Sequence, residues 1–219
     1  LLSGNLNFCL PRITAMGRNG GGVTVRLSYN SQNWRKDSSA TWKLGRDVGY
    51  GFGWRLQIGS ITPYWEGPFT LHHYKFIDST GAEYRLDVPD ASGEKWASKE
   101  SIYVTYDRVT NRLYFPDGSF WVMGAVAAGT EQDAGARYPT IIQDSNGNQV
   151  RVRYRAGVGT AWEESSARIH AIEDVRAVYD GSHNWYQSYH LSYNGDAIPH
   201  LTTITYSMGD IVSSTLRTF

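Results

Sequence analysis

The chain has 219 residues, and its 21 Lys and Arg balance 21 Asp and Glu, so the formal net charge is zero and no electrostatic footprint for nucleic acid or an anionic membrane is present. Fifteen Tyr, eight Trp, seven Phe and 23 Gly suit pleated sheets and tight turns. One cysteine, Cys9, excludes an internal disulfide, and no stretch approaches the roughly 18 apolar residues of a membrane helix.

In chain order, Leu1-Leu2-Ser3-Gly4 has no initiator Met, basic end or apolar block, so no signal peptide is expected and the chain reads as a mature or internal fragment. Gly17 to Gly22 is expected to be a flexible connection. Val23 to Ser31 alternates, with Val23, Val25, Leu27 and Tyr29 on one face of a strand. Tyr74 to Asp87 reads as strand, turn at Asp78 and Gly81, strand. Val88 to Lys99 is rich in Pro, Gly and Ser and is expected to be an exposed loop. Tyr103 to Phe115 and Arg112 to Gly124 read as hairpins, the second turning at Asp117-Gly118. Thr140 to Tyr154 turns at Asp144 to Asn148, and its Asn146-Gly147 pair is a strong hairpin signal. Further strands are expected at 167–178 and 186–194, with a last hairpin around Met208-Gly209-Asp210. The best helical window, 161–178, also alternates at Arg168 to Ile172, so a short helix and a strand both stay open there.

The expected fold is therefore all-β. Consecutive antiparallel hairpins form a twisted or spiralling sheet over a single β-rich region, 1–219, divided into 1–155 and a weaker continuation, 156–219. The recurrent unit is an aromatic strand, an Asp-centred turn with Gly or Asn, and a return strand, around Asp78, Asp107, Asp117 and Asp144. Asp accepts hydrogen bonds from amides two residues on, and Gly or Asn tolerates positive φ.

No catalytic, cofactor or metal site is expected. His72 and His73 are neighbours on a strand and should point to opposite faces, while His170, His183, His190 and His200 show no ligand spacing. Asp144 to Asn148 imitates the start of a calcium loop, but Gln149 replaces the required Gly and Arg155 the required Glu. Cys9 lies in an apolar setting where a thiol is usually core, and there is no Gly-x-Ser-x-Gly nucleophile elbow.

The segment "YVTYDRVTNRLYF" resembles the YD repeat of RHS-repeat proteins, roughly Tyr-x-Tyr-Asp-x-x-Gly-Arg-Leu. Tyr106, Asp107, Arg112 and Leu113 match; Tyr103 stands one residue too early, and Thr110-Asn111 replace the single Gly. "LLSGNLNFCLPRITAMGRNGGGVTVRLSYNSQNW", "GYGFGWRLQIGSI", "YKFIDSTGAEYRL" and "IIQDSNGNQVRVRY" resemble, in order, elements that open the repeat region of bacterial RHS proteins. The resemblance implies an early wall segment of a hollow β-shell, related to toxin-complex, polymorphic-toxin and teneurin shells. It implies a non-enzymatic scaffold, secreted or at the cell surface, with downstream YD repeats and an enclosed effector of the same longer chain as partners. On physical grounds Tyr106 is expected to pack across the strands and Asp107 to close the turn with Arg112 in reach as an ion-pair partner, ring burial outweighing an exposed pair of at most about 1 kcal/mol. Open sheet edges add self-association.

Two other readings stay open. Exposed rings, Trp54, Trp65 and Trp96 foremost, with Trp121, Trp162 and Trp185, would make a carbohydrate- or surface-binding platform, against the alternative of interstrand packing. Paired acids among Glu163, Glu164, Glu173 and Asp174 would make a glycosidase-like enzyme, against the alternative of solvated turn charges.

Overall fold

The computed structural model describes residues 7–9, 13–16, 22–31, 34–36, 41–100, 102–173, 188–208 and 211–218. All regular structure among them is strand: β1 (Asn7–Cys9), β2 (Ile13–Met16), β3 (Gly22–Asn30), β4 (Trp34–Lys36), β5 (Trp42–Leu44), β6 (Trp54–Gln57), β7 (Ser60–Glu66), β8 (Thr70–Ile77), β9 (Glu83–Leu86), β10 (Val88–Pro89) and β11 (Lys95–Ala97). Then come β12 (Thr105–Asp107), β13 (Arg112–Tyr114), β14 (Phe120–Val122), β15 (Ala125–Val126), β16 (Arg137–Tyr138), β17 (Ile141–Gln143), β18 (Gln149–Tyr154), β19 (Ile169–Glu173), β20 (Ser188–Tyr193), β21 (Leu201–Met208) and β22 (Ile211–Thr218). Every pairing among them is antiparallel.

One open eleven-stranded sheet runs β10 to β14 and then β17 to β22, each strand beside the next in sequence. Only the β15–β16 hairpin leaves this series. It joins β7, β8 and β9 in a five-stranded sheet of order β15-β16-β7-β8-β9. Strand β3 centres a four-stranded sheet, pairing β1, β2 and β6, and β4 with β5 forms a separate ribbon.

Alternation decides which faces meet. Along β18, Val150, Val152 and Tyr154 are buried and Gln149, Arg151 and Arg153 are half-buried. One core cluster joins Val23, Val25 and Leu56 of the four-stranded sheet to Val152, Ile172, Leu191 and Ile204 of the long sheet. A second joins Ile61, Phe76 and Leu86 of the five-stranded sheet to Trp96, Tyr106 and Leu113 of the long sheet. The long sheet is thus one layer, and the two smaller sheets cover it in succession. Trp121, on β14, packs against both clusters.

One sequence expectation is corrected, and one alternative left open is decided. Val88 to Lys99 is not a loop: β10 and β11 pair there around a turn at Asp90. No helix forms in the described part of 161–178. Residues 161–168 are bends and irregular chain, and Ile169 onward is strand, because Ile169, Ala171 and Ile172 are buried on the long sheet. Residues 17–21, 174–187, 209 and 210, which include Asp174, His183, Trp185 and the turn of the last expected hairpin, lie outside the described residues.

Candidate functional site

The turns at Asp78, Asp90 and Asp144 share one geometry. Asp144 Oδ1 accepts the amides of Asn146 and Asn148 at 2.9 and 2.8 Å, and Oδ2 accepts the Asn148 side-chain amide at 2.8 Å. The Gly147 amide donates to the Asp144 carbonyl, and Gly147 takes φ +83°, where a side chain would be strained. Asp78 with Gly81 repeats this, its Oδ1 accepting from the Thr80 amide at 2.8 Å and the Ala82 amide at 3.1 Å. So does Asp90 with Gly93, a member that sequence reasoning missed although Asp-Ala-Ser-Gly has the same spacing as Asp-Ser-Thr-Gly and Asp-Ser-Asn-Gly. Asp117 Oδ1 accepts the Ser119 hydroxyl and amide beside Gly118. Bonds from Ser92, Ser119 and Asn148 are the leading causes that hold Asp90, Asp117 and Asp144 below the usual carboxylate range.

The YD-like hairpin is β12 turning into β13. Tyr106 is 1% exposed and meets Tyr74 edge to face at 4.8 Å. Its hydroxyl donates to Asn111 Oδ1 at 3.1 Å. Asn111 takes φ +53°, a conformation that Asn tolerates better than most residues. Burial pushes the Tyr106 hydroxyl up to about 12. Burial also raises Asp107, but the amides of Thr110 and Val109 outweigh it and hold the carboxyl below its ordinary value. Leu113 is fully buried. Two expectations fail here. Asp107 and Arg112 are cross-strand neighbours, yet Arg112 lies over the Phe120 ring at 4.7 Å instead of pairing with Asp107. Tyr103 is 75% exposed and lies outside the packed unit.

The foremost rings, Trp54, Trp65 and Trp96, do not form one platform, because they sit on three different sheets. Trp54 packs against its cross-strand neighbour Tyr29 at 5.0 Å. Trp96 is buried edge-on against Tyr74, with its indole N–H donating to the Gly93 carbonyl. Trp65, on β7, is 51% exposed. The acids are also separate. Glu163 is exposed, Glu164 accepts the Tyr154 amide at 3.1 Å, and buried Glu173 pairs with Arg153 at 2.6 Å.

His72 and His73 do not diverge. The β7–β8 register slips between Tyr64 and Trp65, which makes His72 the extra residue of a bulge. The two Nδ1 atoms come within 2.8 Å, and Tyr64 stacks on His73. Burial is the main cause that lowers the His73 imidazole from its ordinary value.

A buried polar clamp escaped sequence reasoning. Arg168 and Glu131, 2% and 4% exposed, form a two-pronged pair at 3.0 and 2.7 Å. Arg168 also donates to the Ala156 carbonyl, and Glu131 accepts the Val158 amide. Nearby, Asp47 Oδ1 accepts the Gly49 and Gly51 amides, and its Oδ2 meets His200 Nε2 at 2.7 Å. Burial pushes Asp47 up, but the His200 bond and the Gly49 amide hold it below its ordinary value. The Tyr50 hydroxyl, raised to about 12 by burial, receives the Ile169 amide and meets the Tyr193 hydroxyl at 2.9 Å. The clamp therefore fastens "GYGFGW" to the loops before β16, after β18 and before β21. Its only sequence signal is Asp47 just ahead of three alternating glycines.

Among the described residues, no group of three or more His, Cys, Asp or Glu is placed to hold a metal ion, and no helix is long and apolar enough to cross a membrane. No family model matches the chain, and no curated protein matches it. Solved structures do. The chain is similar to the TcdB2-TccC3-Cdc42 crystal structure, with TM-score 0.52 and 13% identity over 94% of this chain and 13% of that one. It is similar to the Photorhabdus luminescens Tc holotoxin pore, with TM-score 0.53 and 13% identity over 97% of this chain and 14% of that one. It is also similar to the N-terminal domain of the effector protein SpvB from Salmonella typhimurium strain LT2, with TM-score 0.57 and 8% identity over 95% of this chain and 91% of that one. The all-β fold is that of toxin-complex chains and of the SpvB N-terminal domain.

Proposed function

We propose that the chain is a non-enzymatic structural scaffold: an early wall segment of a hollow RHS/YD-type β-shell, secreted or at the surface of a bacterium. Downstream hairpins of the same longer chain are its partners, and the shell encloses a C-terminal effector. The observation that carries this reading is the long sheet, in which strand after strand is added in sequence order, with Asp-capped turns joining β10 to β11, β12 to β13, β13 to β14 and β17 to β18. A sheet built this way has two terminal strands, β10 and β22, and a following hairpin would pair with β22. The fold shared with the toxin-complex chains, of which this chain spans 13–14%, supports the same reading. Electron microscopy of the full-length gene product tests it. A closed hollow particle with this segment in its wall is expected, and a compact particle with no internal space would overturn it.

A further inference from the structure

The five-stranded sheet has a second face. Ile61, Tyr74, Phe76 and Leu86 turn into the core, so Ser60 and Thr62 of β7, His73 and Lys75 of β8, and Arg85 of β9 share the opposite one. This polar face floors a groove of about 960 Å³. That is ample for a bound saccharide.

Part of the groove's positive charge has no ion-pair partner among the described residues, although Arg55 still favours the ionised form of Asp133. Lys75 and Glu83 cancel each other at 3.1 Å. Arg46 and Arg55 are half-buried in its wall, and neither guanidinium has an ion-pair or hydrogen-bond partner among the described residues. Glu66 and Glu100, also on the groove, are exposed, where water and salt screen them. Asp133 is 3% exposed. Its Oδ2 accepts from the Tyr138 hydroxyl, and its buried Oδ1 has no donor at all. At one end of the groove, Trp65 leaves half of its surface in water.

We propose that this groove binds an acidic saccharide, with its carboxylate or sulfate on Arg46 and Arg55 and a ring face on Trp65. Guanidinium forks suit such anions, and a half-exposed indole suits the C–H face of a pyranose. Saccharide hydroxyls bond to Ser60 and Thr62. An extended peptide fits less well. Strands β7 and β8, which carry most of the groove floor, are each paired on both sides, so a backbone edge is open only at β9.

The site is independent of the scaffold role, and its test is separate from microscopy. Calorimetric titration of the chain with tetragalacturonate, 3′-sialyllactose and a heparin-derived tetrasaccharide would be compared with methyl-esterified tetragalacturonate and an oligoglutamate peptide. At least one acidic saccharide is expected to bind at or below roughly millimolar concentration. Arg55→Gln should weaken it about tenfold or more, and Trp65→Ala should abolish it. Both side chains lie outside the core clusters, so unchanged melting curves will separate lost binding from lost folding. No binding by any acidic saccharide overturns the proposal. So does undiminished binding by a folded Trp65→Ala variant, and equal binding of the oligoglutamate peptide would assign the groove to acidic peptides instead.

Discussion

Single residues set the tolerances of this molecule at two buried places. Gly59 joins β6 to β7, where the chain passes from the four-stranded to the five-stranded sheet. A Cβ there would lie 2.5 Å from Trp121 Cζ3 and 3.0 Å from the Ile77 carbonyl oxygen. The ring that bridges both cores thus occupies the space a side chain would need. Gly59→Ala is expected to cost about 1–3 kcal/mol, read as a lower urea midpoint with unchanged slope. Arg168 and Glu131 are the other place. Removing one partner strands a buried charge, so Glu131→Gln should cost about 3–5 kcal/mol. Replacing both with apolar residues of similar volume should cost much less, and a double-mutant cycle by urea unfolding measures the difference.

Elements in this chain are decided by their turns. Each Asp gathers the amides that a tight turn leaves unpaired, and each following Gly or Asn takes the positive φ the return strand requires. Asp144→Ala removes the acceptor for two backbone amides and one side-chain amide. By analogy with lost helix caps it should cost about 1 kcal/mol. Hydrogen exchange should accelerate first in β17 and β18, the strands that turn joins. This level was legible in the sequence, because period-two alternation and turn chemistry are local. Val88 to Lys99 was misread because its strands are two and three residues long, too short to show a period. The His72 bulge was invisible for another reason: it lies in the register between two strands, which neither strand encodes alone.

At the scale of the whole molecule, the covering sheets make distant segments depend on one another. The cluster that buries Val23 and Val25 is completed by Ile169, Ile172, Leu191 and Ile204, far along the chain. A chain ended at residue 155 should therefore lose cooperative unfolding and bind a hydrophobic dye, whereas independence of the first 155 residues would give a sharp transition. Acid should also unfold the intact protein. Asp47, Asp90, Asp107, Asp117 and Asp144 have folded-state pKa values below their ordinary one. Their stabilisation is present above about pH 4 and is lost as pH falls through the folded values. Asp133 and Glu164, raised chiefly by burial, act in the opposite sense, since their proton uptake on acidification favours the fold. Asp47→Asn should flatten the acid limb of urea midpoint against pH, because it removes one depressed carboxyl.

The sequence by itself determined the class of structure: all-β, hairpin by hairpin, with Asp-capped turns and Tyr106 and Leu113 turned into a core. Those features depend on residues within a few positions of each other. Only the tertiary structure decided which faces are covered, where Trp121 inserts, that Arg112 turns to Phe120, and that Arg168 finds Glu131 across 37 positions. It also decided that Trp96 is core while half-exposed Trp65 lines a groove with Arg46, Arg55 and Arg85. Burial and long-range pairing arise when one sheet packs on another, and the alternation of a single strand leaves open which partner will cover which face.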